Sequence, residues 1–316
     1  MKVSVCVTVL NEEETISDLI YSLLNQTKMP DEIVVVDGGS NDKTVEVVRH
    51  FQKKDKRLIV LTERCSRAKG RNLAVEIAHN DVVAMTDAGC VANKDWLKNI
   101  SSPLENKEIE MVAGFYKMTV ITPFQKALSV YLGVLPSKFD INFLPSARSL
   151  AFKKILWEKI GGFPESQNDT AEDTLFNFRA IRLNARISRV KDALVEWRIP
   201  LNLKEAFNKF YIYSRGDAKS KIFWNDVKGV TSHNICALLI LLRYFLGLIL
   251  LYYSYNDPLL AYLLTILIVS YIFWAFRKTY KEYRNIRVGL WGIMLQFVSD
   301  IAVSFGFIKG LLDNSK

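Results

Sequence analysis

The sequence predicts a parallel-sheet, Rossmann-like α/β domain over residues 1–232, followed by an all-α membrane domain of three helices over residues 233–316. Three observations carry this. Short β-rich apolar segments alternate with segments of helical periodicity up to Met85, the pattern of a parallel sheet crossed by helices. Polar residues cluster directly after the strand ends, where ligands of such sheets sit. Long apolar runs take over after Ser232.

Lys2 to Leu10, with Val3, Val5, Val7 and Val9, reads as the first strand. Its basic-then-apolar start is too short for a signal peptide and lacks a small-residue cleavage site. Glu13 to Asn25 sets Ile16, Leu19, Ile20, Leu23 and Leu24 at helical spacing. Glu32 to Val36 is the second strand, closed by Asp37-Gly38-Gly39-Ser40. Thr44 to Phe51 is the second helix, Leu58 to Leu61 the third strand, Arg67 to Ala78 the third helix and Asp81 to Met85 the fourth strand. Lys53-Lys54-Asp55-Lys56-Arg57 reads as a solvated loop. Two amphipathic helices are expected near 124–135 (Phe124, Ala127, Leu128, Tyr131, Leu132, Leu135) and 203–213 (Leu203, Ala206, Phe207, Phe210, Tyr211). Such stripes suit a membrane interface, and the first suits a core face equally well.

Three apolar runs follow: Ile235 to Tyr255, broken by Arg243; Pro258 to Phe276, uncharged; and Val288 to Ile308, broken by Asp300. Each approaches the ~20 residues a helix needs to cross a bilayer. Intramembrane charges are costly and usually pair, so Arg243 and Asp300 are expected to face each other inside the bundle. The formal net charge of +9 does not point to nucleic acid, because much of it sits in the loop expected from Arg277 to Arg287. The loop at Asn256-Asp257 has no Lys or Arg. Positive loops stay cytoplasmic, which places the basic loop and the N-terminal domain on the cytoplasmic side of the cell membrane. Cys6, Cys65, Cys90 and Cys236 form neither a metal pair nor a disulfide framework. The three histidines form no ligand pattern.

Asn11, Asp37 and Asp87 each follow a strand end. A carboxylate there can accept hydrogen bonds from a nucleotide; Asp37 reads also as a turn residue before Gly-Gly. Glu172-Asp173 supplies an acid pair at a helix start, where the macrodipole alone would favour acids.

Taken in order, Val7-Thr8-Val9-Leu10-Asn11-Glu12-Glu13, Val34 to Thr44, Gly70-Arg71-Asn72, Thr86-Asp87-Ala88-Gly89-Cys90, and Gly161-Gly162-Phe163-Pro164-Glu165 followed by Glu172-Asp173 resemble family-2 glycosyltransferases. The similarity runs from residue 1 to about 220. It implies a GT-A fold and an inverting transfer from a nucleotide sugar. It also implies nucleotide-sugar contacts at Leu10, Asn11, Glu13, Asp37, Gly38, Arg71, Asp87, Ala88, Arg215 and Lys219. Asp87 would ligate Mg²⁺ or Mn²⁺, Asp173 would act as general base, and Arg148 and Glu172 would meet the acceptor. The family's metal motif has a second aspartate where this chain has Gly89, and Asp217 is the candidate substitute. Tyr213 to Lys219 is not the Gln-x-x-Arg-Trp of processive synthases.

These features predict a hexosyltransferase using a GDP- or UDP-sugar and a lipid-linked acceptor. In layout it resembles a small cellulose-synthase-like archaeal mannosyltransferase. Two alternatives stand beside it. One is a polyprenyl-phosphate sugar synthase, whose anionic acceptor needs no base. The other is a non-catalytic nucleotide-binding membrane scaffold.

Overall fold

The computed structural model describes residues 1–165, 171–222 and 233–313; the boundary expected at residue 232 falls outside them. In chain order the elements begin β1 (Ser4–Val9), α1 (Ile16–Leu24), β2 (Glu32–Asp37), α2 (Thr44–Lys54), β3 (Leu58–Thr62), α3 (Arg67–Ile77), β4 (Val82–Met85), β5 (Cys90–Ala92) and α4 (Trp96–Ser101). They continue with β6 (Met111–Thr119), α5 (Pro123–Leu132), β7 (Leu150–Lys153), α6 (Lys154–Ile160), α7 (Glu172–Arg182), β8 (Ile187–Arg198) and α8 (Leu203–Lys219). The last three are α9 (His233–Ser254), α10 (Pro258–Tyr283) and α11 (Ile286–Asp313). Packing divides the chain into two compact units, Met1–Met118 with Pro136–Arg198, and Thr119–Leu135 with Ile199–Lys316.

The first unit is built on an eight-stranded sheet of order β3-β2-β1-β4-β7-β6-β8-β5. β1 pairs in parallel with β2 and β4, and β2 with β3. β7 runs antiparallel to β4 and β6, and β5 antiparallel to β8. Every residue of β2 is buried, as expected of a parallel strand covered on both faces. Beneath it, Val34, Val36, Val83, Met85, Phe152 and Phe176 form one core with Ala74 and Val75 of α3. The chain leaves β1 towards β2 on one side and places β4 on the other. That reversal opens a crevice at the carboxyl ends of β1 and β4.

The second unit groups α5 and α8 with the three long helices. The α5 stripe packs inside this unit: Phe124 meets Trp291 edge-on at 5.2 Å, and the Tyr131 hydroxyl donates to the Gly292 carbonyl at 2.9 Å. On α8, Ala206, Phe210, Ser214 and Ala218 are buried, a strict i, i+4 row. This row meets α11 at very close range. A Cβ on Gly306 would lie 2.4 Å from the Tyr211 carbonyl, and one on Gly310 would lie 2.4 Å from the Arg215 carbonyl. Glycines four residues apart let helix backbones approach, and the Ser214 hydroxyl uses that proximity to reach the Val303 carbonyl at 2.8 Å.

α9, α10 and α11 are each long and apolar enough to cross a membrane. Asp300, 1% exposed, accepts from the Arg243 guanidinium at 2.7 Å, the Tyr244 hydroxyl at 2.9 Å, the Tyr271 hydroxyl and the Gln296 amide at 2.9 Å. The expected pairing of the two intramembrane charges is therefore made, with three further donors. The expected loop from Arg277 to Arg287 is corrected. α10 continues through it to Tyr283 and α11 begins at Ile286. Lys and Arg are good helix formers, and cations near a helix C-terminus are stabilising. Only Arg284 and Asn285 turn the chain, with Arg284 at φ +46°. The Asn285 side chain caps α11 by accepting from the Arg287 and Val288 amides at 2.9 and 3.3 Å.

Gly306→Val should separate α8 from α11 and cost about 1–3 kcal/mol, read as a lowered Tm of the detergent-solubilised protein. Gly247→Val, where an added Cβ meets nothing within 4 Å, should leave Tm nearly unchanged. Equal effects at both positions would contradict the packing.

Candidate active site

The carboxyl ends of β1 and β2 present Leu10, Asn11, Glu13, Asp37 and Gly38, and hydrogen bonds knit the two loops together. Asn11, at φ +54°, accepts from the Asn41 amide at 2.9 Å, and its own amide donates to the Ser40 hydroxyl at 2.8 Å. Glu13 accepts from the Lys43 amide at 2.9 Å, and the Glu13 amide donates to Asp42 at 3.1 Å. Asp37 is buried, and its carboxylate accepts from the Gly39 and Ser40 amides, each at 3.1 Å, and from the Ser40 hydroxyl at 2.5 Å. These side chains thus shape the loops that rim the crevice. Leu10, by contrast, is left 53% exposed at its mouth.

At the end of β4 the chain delivers Thr86, Asp87 and Ala88. Asp87 meets the centre of the site, Arg71, which α3 carries in from below. Arg71 is 2% exposed. One of its terminal nitrogens donates to Asp87 Oδ1 at 2.7 Å and the other to Glu172 Oε1 at 2.5 Å. Its plane lies 5.7 Å from the Phe163 ring. Arg67, one turn earlier on α3, stands 3.8 Å from Glu172. Burial works to raise the Asp87 carboxyl, but Arg71, Arg148 and Arg67 outweigh it and hold it below the ordinary carboxylate range. Glu172 goes the other way: burial pushes it up, Arg71 opposes, and the neighbouring Asp173 adds to the rise.

Asp173 opens α7 beside Glu172 but is only partly buried. Its carboxylate accepts from the Thr174 amide at 2.8 Å and, weakly, from the Ala147 amide at 3.4 Å. The tight turn at Ser146–Ser149, closed by a 2.8 Å backbone bond, therefore brings Arg148 to the same side. Arg148 lies over the Trp197 ring at 3.9 Å and the Tyr116 ring at 5.2 Å, and donates to the Ser146 hydroxyl at 2.9 Å. The structure thus gathers Arg71, Asp87, Arg148, Glu172 and Asp173 within the first unit. Arg215, Asp217 and Lys219 belong to α8 of the second unit. There Arg215 bonds Asp313 at 2.7 Å.

Sequence reasoning missed Asn72, the residue after Arg71. Its amide nitrogen donates to the Phe163 carbonyl at 2.9 Å and to Glu165 at 2.7 Å. Its oxygen accepts from the Phe163 amide at 2.7 Å and the Trp157 indole at 3.1 Å. Two adjacent α3 residues thereby grip Phe163–Glu165 and Glu172. Tyr116 and Trp197 were also missed, since nothing in their local sequence marks a platform for Arg148. The thiol of Cys90, buried beside Asp87, is pushed up to about 12 by that burial and is inert as a nucleophile.

Gly89 adopts φ +78° with nothing within 4 Å of an added Cβ. Asp87 is thus the single carboxylate of this turn, and among the described residues no group of three or more His, Cys, Asp or Glu is arranged to hold a metal. Arg71 occupies Asp87 Oδ1, and Oδ2 accepts no hydrogen bond from the described residues. One open carboxylate oxygen fits a hard cation that takes its remaining ligands from diphosphate oxygens and water.

A mixed sheet with a carboxylate at the end of β4 and an acid pair facing it at the start of α7 defines a GT-A-type domain. Residues 4–157, just under half of the chain, match the Glycosyl transferase family 2 model. Similar proteins include glycosyltransferase EpsJ of Bacillus subtilis, 24% identical over 62% of this chain and 60% of its own length. Glycosyltransferase AglE of Haloferax volcanii is 31% identical over 37% of this chain and 40% of its own. An uncharacterized glycosyltransferase of Haemophilus influenzae is 25% identical over 71% and 59%. The chain therefore spans between 40% and 60% of the length of these relatives. Among solved structures, the mannosyltransferase PcManGT of Pyrobaculum calidifontis in complex with GDP-Man and Mn²⁺ has a TM-score of 0.61 at 20% identity, covering 93% of this chain and 86% of that one. Staphylococcus aureus TarS in complex with UDP has a TM-score of 0.51 at 24% identity, covering 75% and 70%. These two likenesses establish the shared fold.

Arg71→Met should leave Asp87 and Glu172 as uncompensated carboxylates and cost about 3–5 kcal/mol in chemical denaturation. Arg71→Met/Glu172→Leu should regain much of that loss. A double variant as unstable as the single one would refute the shared-cation account.

Proposed function

We propose that the chain is an inverting glycosyltransferase that moves a hexosyl group from a nucleotide diphosphate sugar to a lipid-linked acceptor at the cytoplasmic face of the cell membrane. The observation that carries this reading is Arg71, which ties Asp87 at the end of β4 to the Glu172-Asp173 pair at the start of α7. One arginine thereby joins a donor-side carboxylate to an acceptor-side one. The family 2 match over residues 4–157 supports the reaction class.

In this reading the nucleotide lies over the β1 and β2 loops, with Leu10, Asn11, Glu13, Asp37 and Gly38 at its base and ribose. Asp87 and Ala88 face the diphosphate. Arg71 lies too deep to touch it and instead keeps Asp87 ionised and aimed. Mg²⁺ or Mn²⁺, held by Asp87, would supply positive charge against the departing diphosphate. Arg148, 3.9 Å from the Trp197 ring centre, adds positive charge next to Asp87. Asp173 accepts the proton of the acceptor hydroxyl as that oxygen forms the new bond to the anomeric carbon. Glu172 orients α7 through Arg71 rather than meeting the acceptor directly.

The nature of α9, α10 and α11 supports an acceptor carried in a membrane. A cytoplasmic orientation is supported by Arg277, Lys278, Lys281, Arg284 and Arg287 at one helix connection against Asn256-Asp257 at the other. A mannosyl donor is proposed from likeness to the Pyrobaculum mannosyltransferase.

A panel of GDP- and UDP-sugars tested with Mn²⁺ should give one donor that raises Tm and is hydrolysed or transferred; silence across the panel would defeat the proposal. Asp173→Asn should lower kcat on the order of 10²-fold or more with donor KM little changed. Near-normal turnover by Asp173→Asn would instead indicate an acceptor that is already an anion, such as a polyprenyl phosphate.

A further inference from the structure

The turn between α10 and α11 concentrates positive charge, with five cations against the single carboxylate Glu282 over residues 277–287. Arg277 and Lys281 lie on the last turns of α10, Arg284 forms the turn, and Arg287 opens α11. None of these four has a carboxylate within 4.0 Å among the described residues. Three other cations of the unit are paired. Arg215 is paired with Asp313 at 2.6 Å, Arg243 with Asp300 at 2.7 Å and Lys309 with Asp313 at 3.2 Å. Lys278, next to Arg277, is turned inward, with its ammonium 3.7 Å from the Tyr131 ring centre and 3.5 Å from the Gln296 amide oxygen.

The turn is also held in place. The Tyr283 hydroxyl bonds Ser129 of α5 at 2.8 Å, and Thr279 donates to the Val288 carbonyl at 3.1 Å, tying α10 to α11. Beside the cations lie the exposed apolar side chains Ile286 and Leu290, with Tyr280 partly exposed. Cations and exposed apolar side chains therefore alternate along the last two turns of α10 and the first turn of α11. Juxtamembrane cations of this kind attract anionic lipid at about 1 kcal/mol each, which is about fivefold in affinity.

We infer that the α10–α11 turn is a docking surface for anionic phospholipid headgroups of the bilayer. Lys281, Arg284 and Arg287 meet the phosphate layer directly, Arg277, about 10 Å further along α10 from the turn, reaches up to it with its long side chain, and Leu290 lies against the chains. This does not depend on the transfer reaction, and none of these residues belongs to the proposed catalytic machinery.

The test is lipid competition on the full chain. Purified protein is exchanged into mixed micelles of equal phosphatidylglycerol and phosphatidylcholine, and the lipids it retains are counted by native mass spectrometry. The expected result is at least fivefold enrichment of phosphatidylglycerol, falling as ionic strength rises. Arg277→Gln/Lys281→Gln/Arg284→Gln/Arg287→Gln should abolish the enrichment. Arg277→Lys/Arg284→Lys/Arg287→Lys, which keeps the charge and guards against misfolding of the first variant, should retain it. Millimolar inorganic diphosphate should fail to displace the lipid. Equal retention of the two lipids, enrichment surviving in the glutamine variant, loss in the lysine variant, or displacement by diphosphate would each overturn the inference.

Discussion

The first unit depends on one buried cation. A guanidinium removed from water is tolerable only if its charge is met, and Arg71 is met by two carboxylates brought from distant parts of the chain. Asp87 lies 16 residues on and Glu172 lies 101 residues on. The ion triad therefore forms only when α3 is seated beneath β1, β4 has ended at Asp87, and α7 has begun at Glu172. Asn72 adds an uncharged grip on Phe163–Glu165 from the next position of the same helix. α3 thus aligns the floor of the site with its far wall. It also explains why two neighbouring acids in the site differ so much in exposure. Glu172 is engaged by Arg71 in holding the wall, whereas Asp173, the next residue and about 100° round the helix, is only partly buried.

The second unit meets the same constraint in a different solvent. Asp300 is surrounded by Arg243, Tyr244, Tyr271 and Gln296, which leaves the carboxylate no need of water. Where the first unit uses charge to join segments, the second also uses the absence of side chains. Gly306 and Gly310 let α8 lie directly on the α11 backbone, which explains why α11 is the most covered of the three long helices. The Ala218, Ala237 and Phe307 cluster draws α9 to the same seam.

Much of this was legible in the sequence. Alternating apolar segments, helical spacing and strand-end polar residues set out β1 to β4 and α1 to α3 because each signal is local. The apolar runs and the Arg243–Asp300 pairing were legible because a membrane tolerates few other arrangements. The antiparallel half of the sheet was not, since β5, β7 and β8 take their positions from distant partners rather than from their own pattern. In the site, the residue types were readable but their employment was not. Asn11, Glu13 and Asp37 are largely engaged by neighbouring loop amides, and Arg215 by Asp313. Arg71, expected at the donor, is buried between Asp87 and Glu172. Each of these depends on which partner lies within 3 Å, a fact that spacing along the chain does not encode. The helical course of Arg277 to Tyr283 was hidden for another reason: cations mark a membrane boundary equally well as loop or as helix.

The Arg243–Asp300 pair has a consequence for how the protein is made. The two residues are 57 positions apart, so a ribosome delivers the arginine well before its counter-ion exists. Until α11 is synthesised, the α9 arginine has no carboxylate to meet it, which at the centre of a membrane helix costs about 2.5–3.5 kcal/mol. Were α9 to cross a bilayer, its packing would therefore be completed only when α11 arrives, and a chain interrupted before Asp300 would leave that guanidinium unneutralised.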